Sequence, residues 1–302
     1  MSRIAISGAT GLVGRALEKR LTGEGHIVLR LVRRREQAVD DEHVYFGIDE
    51  GVVDKEKLQD LDALVHLAGE NVGGGRWTTA RKSRIMDSRK LGTRTLARAV
   101  AELSPPPKVV VGASAVGYYG NTGDRVVDES GPRGAGFLAD VCEEWEAAWE
   151  PAEVAGVRVV KARIGVVLAS EGGALEKMLP PFRLGLGGPL GNGRQWMSWI
   201  TLEDVVRALH RSITDERLSG PVNVVAPSAV TNDEFTRSLG KALGRPTFFR
   251  VPGAALRVAL GGEMASEMLL GGSRVEPKKL TDLGFEWAHP DLAGALQDVL
   301  DD

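Results

Sequence analysis

Close to the amino terminus, the apolar run Ile4-Ala5-Ile6 leads directly into Gly8-Ala9-Thr10-Gly11-Leu12-Val13-Gly14. A buried strand that empties into a glycine turn and then a helix leaves few backbone paths open. Gly8 permits the sharp turn, Gly11 lets a ligand approach the main chain, and Gly14 lets the helix lie close on the strand. Unpaired N–H groups at the helix start, with the backbone dipole behind them, suit a pyrophosphate. Leu12, Val13, Leu17 and Leu21 give the following segment one apolar helical face. The pattern predicts a dinucleotide held by Gly8, Thr10, Gly11, Leu12 and Val13; an ordinary strand–turn–helix corner is the alternative.

The next apolar run, Ile27-Val28-Leu29-Arg30-Leu31-Val32, ends in Arg33-Arg34-Arg35, and no acid follows until Glu36. An Asp or Glu at this strand end would bind the ribose hydroxyls of NAD, whereas a planar guanidinium suits the 2′-phosphate of NADP. NADP(H) is therefore the expected cofactor, with Arg33 as the first contact. A solvated basic turn is the alternative.

Other cofactor and partner classes are narrowed by composition. A formal net charge of −3 gives no global pull toward nucleic acid or an acidic membrane surface. No apolar run is long enough to span a bilayer, and the strand-like amino terminus does not read as a signal peptide. The single cysteine, Cys142, excludes an intrachain disulfide and fits a reducing, cytoplasmic compartment. The histidines are scattered along the chain and form no spaced ligand set with Cys142, so no metal is expected. The expected partner is a small-molecule substrate.

Apolar runs and helical periods alternate through the first half of the 302 residues. Val44-Tyr45-Phe46 reads as a short strand, and Asp62–Gly69 as a buried strand whose small carboxyl end leaves room for a ligand. A helix over roughly Thr78–Glu102, with Ile85, Leu91, Leu96 and Val100 on its apolar positions, stops before Pro105-Pro106-Pro107. Lys108–Ala113 is the next strand, then a helix within Ala135–Ala155 carries Leu138, Val141, Trp145 and Trp149, and Val157–Arg163 is another strand. This alternation predicts an α/β fold, a Rossmann-like doubly wound parallel sheet with right-handed crossovers. Residues 1–170 would form the NADP-binding domain, with a segment near 201–226 returning to the sheet through Pro221–Val225. Residues 171–200 and 227–302 would form a smaller, mainly helical substrate lobe, with Leu239, Leu243, Leu256, Val258, Leu269 and Leu270 in its core.

The glycine turn, His66-Leu67-Ala68-Gly69 and Ser114 with Tyr119-Gly120 together resemble the extended short-chain dehydrogenase/reductase superfamily. Leu67-Ala68-Gly69-Glu70-Asn71, Ser114–Gly120, Pro180-Pro181-Phe182-Arg183-Leu184-Gly185 and Trp196-Met197-Ser198-Trp199 are similar to an atypical epimerase family. Some of its members are labelled SulA-like cell-division inhibitors or nucleoside-diphosphate-sugar epimerases, and its carboxyl-terminal domain has no assigned function. The resemblance implies a Rossmann fold and NADP(H), with Leu67, Ala68, Gly69, Glu70 and Val166 among the cofactor contacts. It places Arg89 on the cleft-facing helix, where a phosphate or ribose contact is expected, and Arg84 as a weaker candidate; the other basic residues of that helix read as a solvated face. It also leaves open a homodimer through the two long helices, with arginines of the first pairing Glu143, Glu144, Glu146 or Glu150 of the second.

Extended enzymes of the superfamily carry a Tyr, and a Lys four residues later, on the helix after the serine loop. The resemblance puts Leu138 and Cys142 at those two positions, and neither side chain can perform the proton transfer. Three replacements are candidates: Ser114, which could polarise a carbonyl, and the phenols of Tyr118 and Tyr119. Cys142 reads as a buried filler, Trp196 and Trp199 as packing at the lobe junction, and Ser198 and Asp204 as pocket-lining or capping residues. Two functions remain: an NADP(H)-dependent oxidoreductase or epimerase-like protein for a small polar substrate, such as a nucleotide sugar, and a non-catalytic NADPH sensor.

Overall fold

The computed structural model describes residues 1–301. Strand β1 (Arg3–Ser7) turns at the glycines into helix α1 (Leu12–Gly23), which returns to β2 (Ile27–Val32) and β3 (His43–Gly47); β4 (Val52–Val53) folds back antiparallel on β3. Then follow β5 (Ala63–His66), α2 (Thr79–Ala101), β6 (Val109–Ala115), the short β7 (Val126–Val127), α3 (Phe137–Ala147), α4 (Glu150–Val154) and β8 (Arg158–Ile164). The remainder contains β9 (Val166–Leu168), α5 (Gly173–Arg183), β10 (Trp196–Met197), β11 (Trp199–Thr201), α6 (Leu202–Thr214), β12 (Gly220–Val224) and β13 (Val230–Thr231). Helices α7 (Asn232–Ala242), α8 (Gly253–Leu260) and α9 (Gly262–Met268), strand β14 (Arg274–Val275), and helices α10 (Lys278–Asp282) and α11 (Leu292–Asp301) complete the described chain.

Eight strands form the main sheet in the order β12-β8-β6-β5-β1-β2-β3-β4, parallel throughout except at β4. The order reverses between β1 and β5, so the crevice beyond their carboxyl ends is the switch point where such sheets bind ligands. Alternate residues feed opposite layers. Ile4 and Ile6 face α1 and α6 with Leu17, Leu21, Val205 and Leu209, whereas Ala5 faces α2 and α4 with Leu96, Val100 and Ala152. Burial on both faces explains why these strands read as continuous aliphatic runs. A separate cluster of Leu175, Leu179, Trp199, Phe235, Leu239 and Leu296 packs α5, α7 and α11 together at the sheet's carboxyl edge.

Three expectations change. The segment 135–155 is two helices, because Pro151 lies in the first turn of α4 and cannot continue α3. Leu91 is 45% exposed on α2, and Val258 is 76% exposed on α8, so neither belongs to the core. Glu146 is buried and paired with Arg163 within the chain, so it is not a surface acid, whereas Glu143 and Glu144 are exposed beside Arg133 and Lys90.

Gly14 is dictated by space rather than by conformation: a Cβ there would collide with the Gly8 carbonyl oxygen. Gly14→Ala is expected to lower stability by about 1–3 kcal/mol, through overpacking against backbone that cannot yield. Gly23→Ala, where an added Cβ meets nothing within 4 Å, is expected to raise it by roughly 0.4–1 kcal/mol. Urea denaturation midpoints of the two variants check both signs.

Candidate cofactor cleft and substrate cavity

The turn from β1 to α1 is built to be approached. Gly8 has φ +74°, and a Cβ on it would lie 2.9 Å from the Ala68 nitrogen, so the turn presses against the end of β5. Helix α1 starts after Gly11 without a side-chain cap, which leaves its first amides free, and Thr10 and Gly11 are exposed beside them. Leu12 and Val13 are half-buried, with Leu12 facing the Gly172-Gly173 turn before α5. At the end of β2, Arg33 is exposed and makes no ion pair among the described residues, whereas Arg35 is held by Glu50 and the Tyr45 ring.

The wall opposite is the end of β5. Ser7 Oγ accepts from the amides of Leu67 and Ala68 at 3.2 and 3.3 Å and lies 2.5 Å from His66 Nδ1. With two amides donating to it, the hydroxyl is left to donate a hydrogen bond to Nδ1, which fits a neutral imidazole with its hydrogen on Nε2. That imidazole is fully buried between Phe46 and Trp149, and burial, with the Arg89 charge second, pushes its pKa down to about 3. Arg89 lies behind Gly69: it donates to the Glu70 carbonyl at 3.0 Å and stacks on Trp145, and burial lowers its pKa. Arg89 thus braces the 67–70 turn from behind. Arg84 is exposed and without an ion pair among the described residues, and the Glu70 carboxylate faces Arg81 at 3.4 Å.

Beyond β6 and β8 the cleft widens into a cavity of about 790 Å³ between the sheet and α3, α5, α7 and α9. Val116, Gly117, Leu138 and Val166 line its sheet end. Leu138 therefore faces the cavity. Cys142, one turn further, contacts the Ala115 carbonyl at 3.6 Å, and burial pushes its thiol up to about 11. Trp196 and Ser198 also line the cavity; Trp199 is fully buried and donates to the Ser228 carbonyl, and Asp204 accepts from the amides of Ala288 and His289 away from it.

Two of the three hydroxyls expected to do chemistry are committed elsewhere. Ser114 is buried and donates to Glu146 Oε1 at 2.7 Å. Tyr119 is buried, donates to Asn223 Oδ1 at 2.7 Å and accepts from Arg163 at 2.9 Å, and burial pushes its pKa up to about 12. The Arg163 guanidinium, paired with both Glu146 oxygens at 2.8 Å, also covers the Tyr118 ring at 3.5 Å. None of the three candidates lines the cavity. Sequence spacing also missed a cluster outside the cleft, in which Glu24, His26 and His210 bring ligand-type atoms within 4.8 Å of one another. Its groups satisfy each other: Ser2 N–H donates to His26 Nδ1, and His210 Nε2 lies 2.8 Å from Glu24.

This geometry has close relatives. Residues 4–225 match the model of the NAD dependent epimerase/dehydratase family, and residues 251–299 match a domain of unknown function. The chain belongs to that epimerase/dehydratase family. An epimerase family protein of Mycobacterium leprae is 47% identical over 293 residues, covering 97% of this chain and 94% of its own. The crystal structure of the human epimerase family protein SDR39U1 with NADPH superposes with a TM-score of 0.88 at 33% identity, covering 99% of both chains. A UDP-N-acetylglucosamine 4-epimerase from Bacillus cereus shares the fold, with a TM-score of 0.77 at 18% identity over 99% of this chain and 98% of its own. Among the described residues, no helix is long and apolar enough to cross a membrane.

Two stability effects follow from the buried charges. Glu146→Ala would strand the Arg163 guanidinium and is expected to cost about 3–5 kcal/mol in urea denaturation. His66 has a folded pKa of about 3 against an ordinary value near 6.5, so the unfolded chain binds its proton first as pH falls. Its contribution is present above about pH 6.5 and is lost toward pH 3, with a slope of up to about 1.4 kcal/mol per pH unit. His66→Asn is expected to remove that slope from a stability-versus-pH series.

Proposed function

We propose that the chain binds NADP(H) in the β1–β5 crevice and acts as an oxidoreductase or epimerase-like protein on a small molecule held in the adjoining cavity. The observation that carries this reading is the union of the glycine turn, which leaves the first amides of α1 uncapped, with an unpaired Arg33 at the end of β2. The human relative crystallised with NADPH supports the choice of cofactor. Free amides of α1 would hold the pyrophosphate, with Gly8, Thr10, Gly11, Leu12 and Val13 around it. Arg33 would pair with the 2′-phosphate, while Leu67, Ala68, Gly69 and Glu70 form the opposite wall, with Arg89 holding it in place.

When bound, NADPH supplies a hydride, which together with a proton turns a carbonyl into an alcohol. The chain's contribution is to orient and desolvate: Val116, Gly117, Leu138 and Val166 shape an apolar floor at the ends of β6 and β8. The superfamily's phenol is replaced by Leu138, and Ser114 and Tyr119 are held by Glu146, Arg163 and Asn223, so these hydroxyls brace the loop beside the floor. That bracing favours a second reading, a non-catalytic NADPH sensor, in which binding survives and proton transfer does not. The free, buried thiol of Cys142 accords with a reducing, cytoplasmic setting.

Arg33→Ala is expected to weaken NADPH binding by about 10–100-fold, the loss of a charge-assisted contact, and to leave NADH binding within about twofold. Calorimetric titration of both coenzymes into both proteins decides it. An unchanged preference for NADPH would remove Arg33 from the site. No binding of either coenzyme to the folded wild type would remove the cofactor reading.

A further inference from the structure

The substrate cavity lacks the chemistry that a nucleoside diphosphate sugar demands. A diphosphate in a protein cleft needs cations, commonly a planar guanidinium meeting two oxygens, or a row of free amides. Among the described residues, no Lys or Arg lines the cavity, and Glu267 is its only charged side chain. Of the cations close to it in sequence, Arg183 and Arg194 are exposed and are not part of the lining, and three others have partners. Lys177 reaches the Gly73 carbonyl, Arg250 the Gly191 carbonyl and Asp233, and Arg274 stacks over Trp196.

Six polar side chains on the wall are also turned to the protein's own groups. Glu267 accepts from the amides of Phe137 and Leu138 at 2.9 and 2.8 Å, which caps α3. Gln195 donates to the carbonyls of Leu190 and Leu269, and Asn232 accepts from the Leu190 amide. Ser198 joins the Ser273 carbonyl to the Val275 amide, Ser273 faces the Val116 carbonyl, and Asn121 accepts from the Gly123 amide. What remains is mostly apolar: Leu138, Met178, Phe182, Leu186, Met197 and Met268 form most of the wall, and its free polar groups, among them Thr236, Ser266 and the Gln195 Oε1, are uncharged. Three methionines add a wall that adapts to irregular shapes.

The same character continues outward. Leu184 and Phe248 are 74% and 71% exposed, and Leu186 and Phe249 are also exposed. The two phenylalanine rings lie 4.6 Å apart, and Gly188 packs against the Phe249 carbonyl with no room for a Cβ. The 184–188 segment thus runs along 246–251, and Leu186 carries the apolar lip into the cavity.

Resting on the reading that the adjoining crevice holds NADP(H), we infer that this cavity takes an uncharged, largely apolar carbonyl compound or the matching alcohol, not a nucleoside diphosphate sugar. The test titrates the native protein, with and without saturating NADPH, with the bicyclic ketones 2-tetralone and 2-decalone and with UDP-glucose. At least one ketone is expected to bind about tenfold or more tightly than UDP-glucose. Met178→Asp, inside the cavity, and Leu186→Asp, on its exposed rim and so tolerant of a charge, are each expected to weaken ketone binding about tenfold and leave NADPH affinity within about twofold. UDP-glucose binding as tightly as the better ketone overturns the inference. So does the absence of binding by either ketone, or ketone binding that neither variant alters. Failure of NADPH to bind is read in its own titration and would count against the cofactor reading; ketone binding to the cofactor-free protein still tests the cavity.

Discussion

One buried ion pair organises the working edge of the sheet. Arg163, at the end of β8, and Glu146, on α3, are almost fully removed from water and meet through two hydrogen bonds of 2.8 Å. Neither charge is tolerable there alone, so β8 and α3 are locked in one relative position. The pair recruits its surroundings as well. Ser114 from β6 and Tyr119 from the following turn hydrogen-bond into it, and Asn223 from β12 joins through Tyr119. Three neighbouring strand ends, the helix beside them and the loop between are thereby fixed by one polar network, and a fully satisfied network of this kind specifies a single arrangement. The cavity floor at Val116, Gly117 and Leu138 lies directly above it and inherits that rigidity.

The same network accounts for the chemistry of this member of the family. A serine and a tyrosine at the carboxyl end of the central strands invite a catalytic interpretation, because their types and positions match those of proton-transferring relatives. Here the Ser114 proton is given to Glu146, the Tyr119 proton to Asn223 and a Tyr119 lone pair to Arg163, and burial pushes the Tyr119 phenol away from ionisation. Beside them lie the Leu138 side chain, which has no proton to exchange, and the Cys142 thiol, which burial keeps protonated.

The parts legible in the chain were the local ones. The glycine turn is written in seven consecutive residues, and the parallel sheet in aliphatic runs such as Val109-Val110-Val111 that are buried on both faces. Arg33 stood out because its position relative to β2 is short-range. The break between α3 and α4 was also readable in principle, since Pro151 cannot sit in a helix interior. Long-range pairing was not. Ser114 and Glu146 are 32 residues apart, and Tyr119 and Asn223 are 104 apart. No spacing rule shows that two such side chains exhaust each other's hydrogen bonds. The meeting of His26 and His210 escaped for the same reason, as α1 and α6 become neighbours only through the sheet.

The polarity of the cavity illustrates why substrate class is harder to read than fold. Residues 184–199 are glycine-rich, with Asn192, Gln195 and Ser198 among leucines, tryptophans and a methionine, and their order does not say which side chains face the cavity. Glycines at 187 and 188 allow this segment to press against Phe182 and the Phe249 carbonyl, so its backbone needs partners from nearby side chains. Gln195, Asn232 and Ser198 supply them. Each polar side chain spent on a strained loop is lost to a ligand, because a buried main-chain amide or carbonyl left unpaired would cost about 1–3 kcal/mol. The methionine, leucine and phenylalanine side chains between them have no such duty and remain to face the cavity. Which side chains of such a segment face the cavity is therefore set by long-range backbone contacts that its composition does not record.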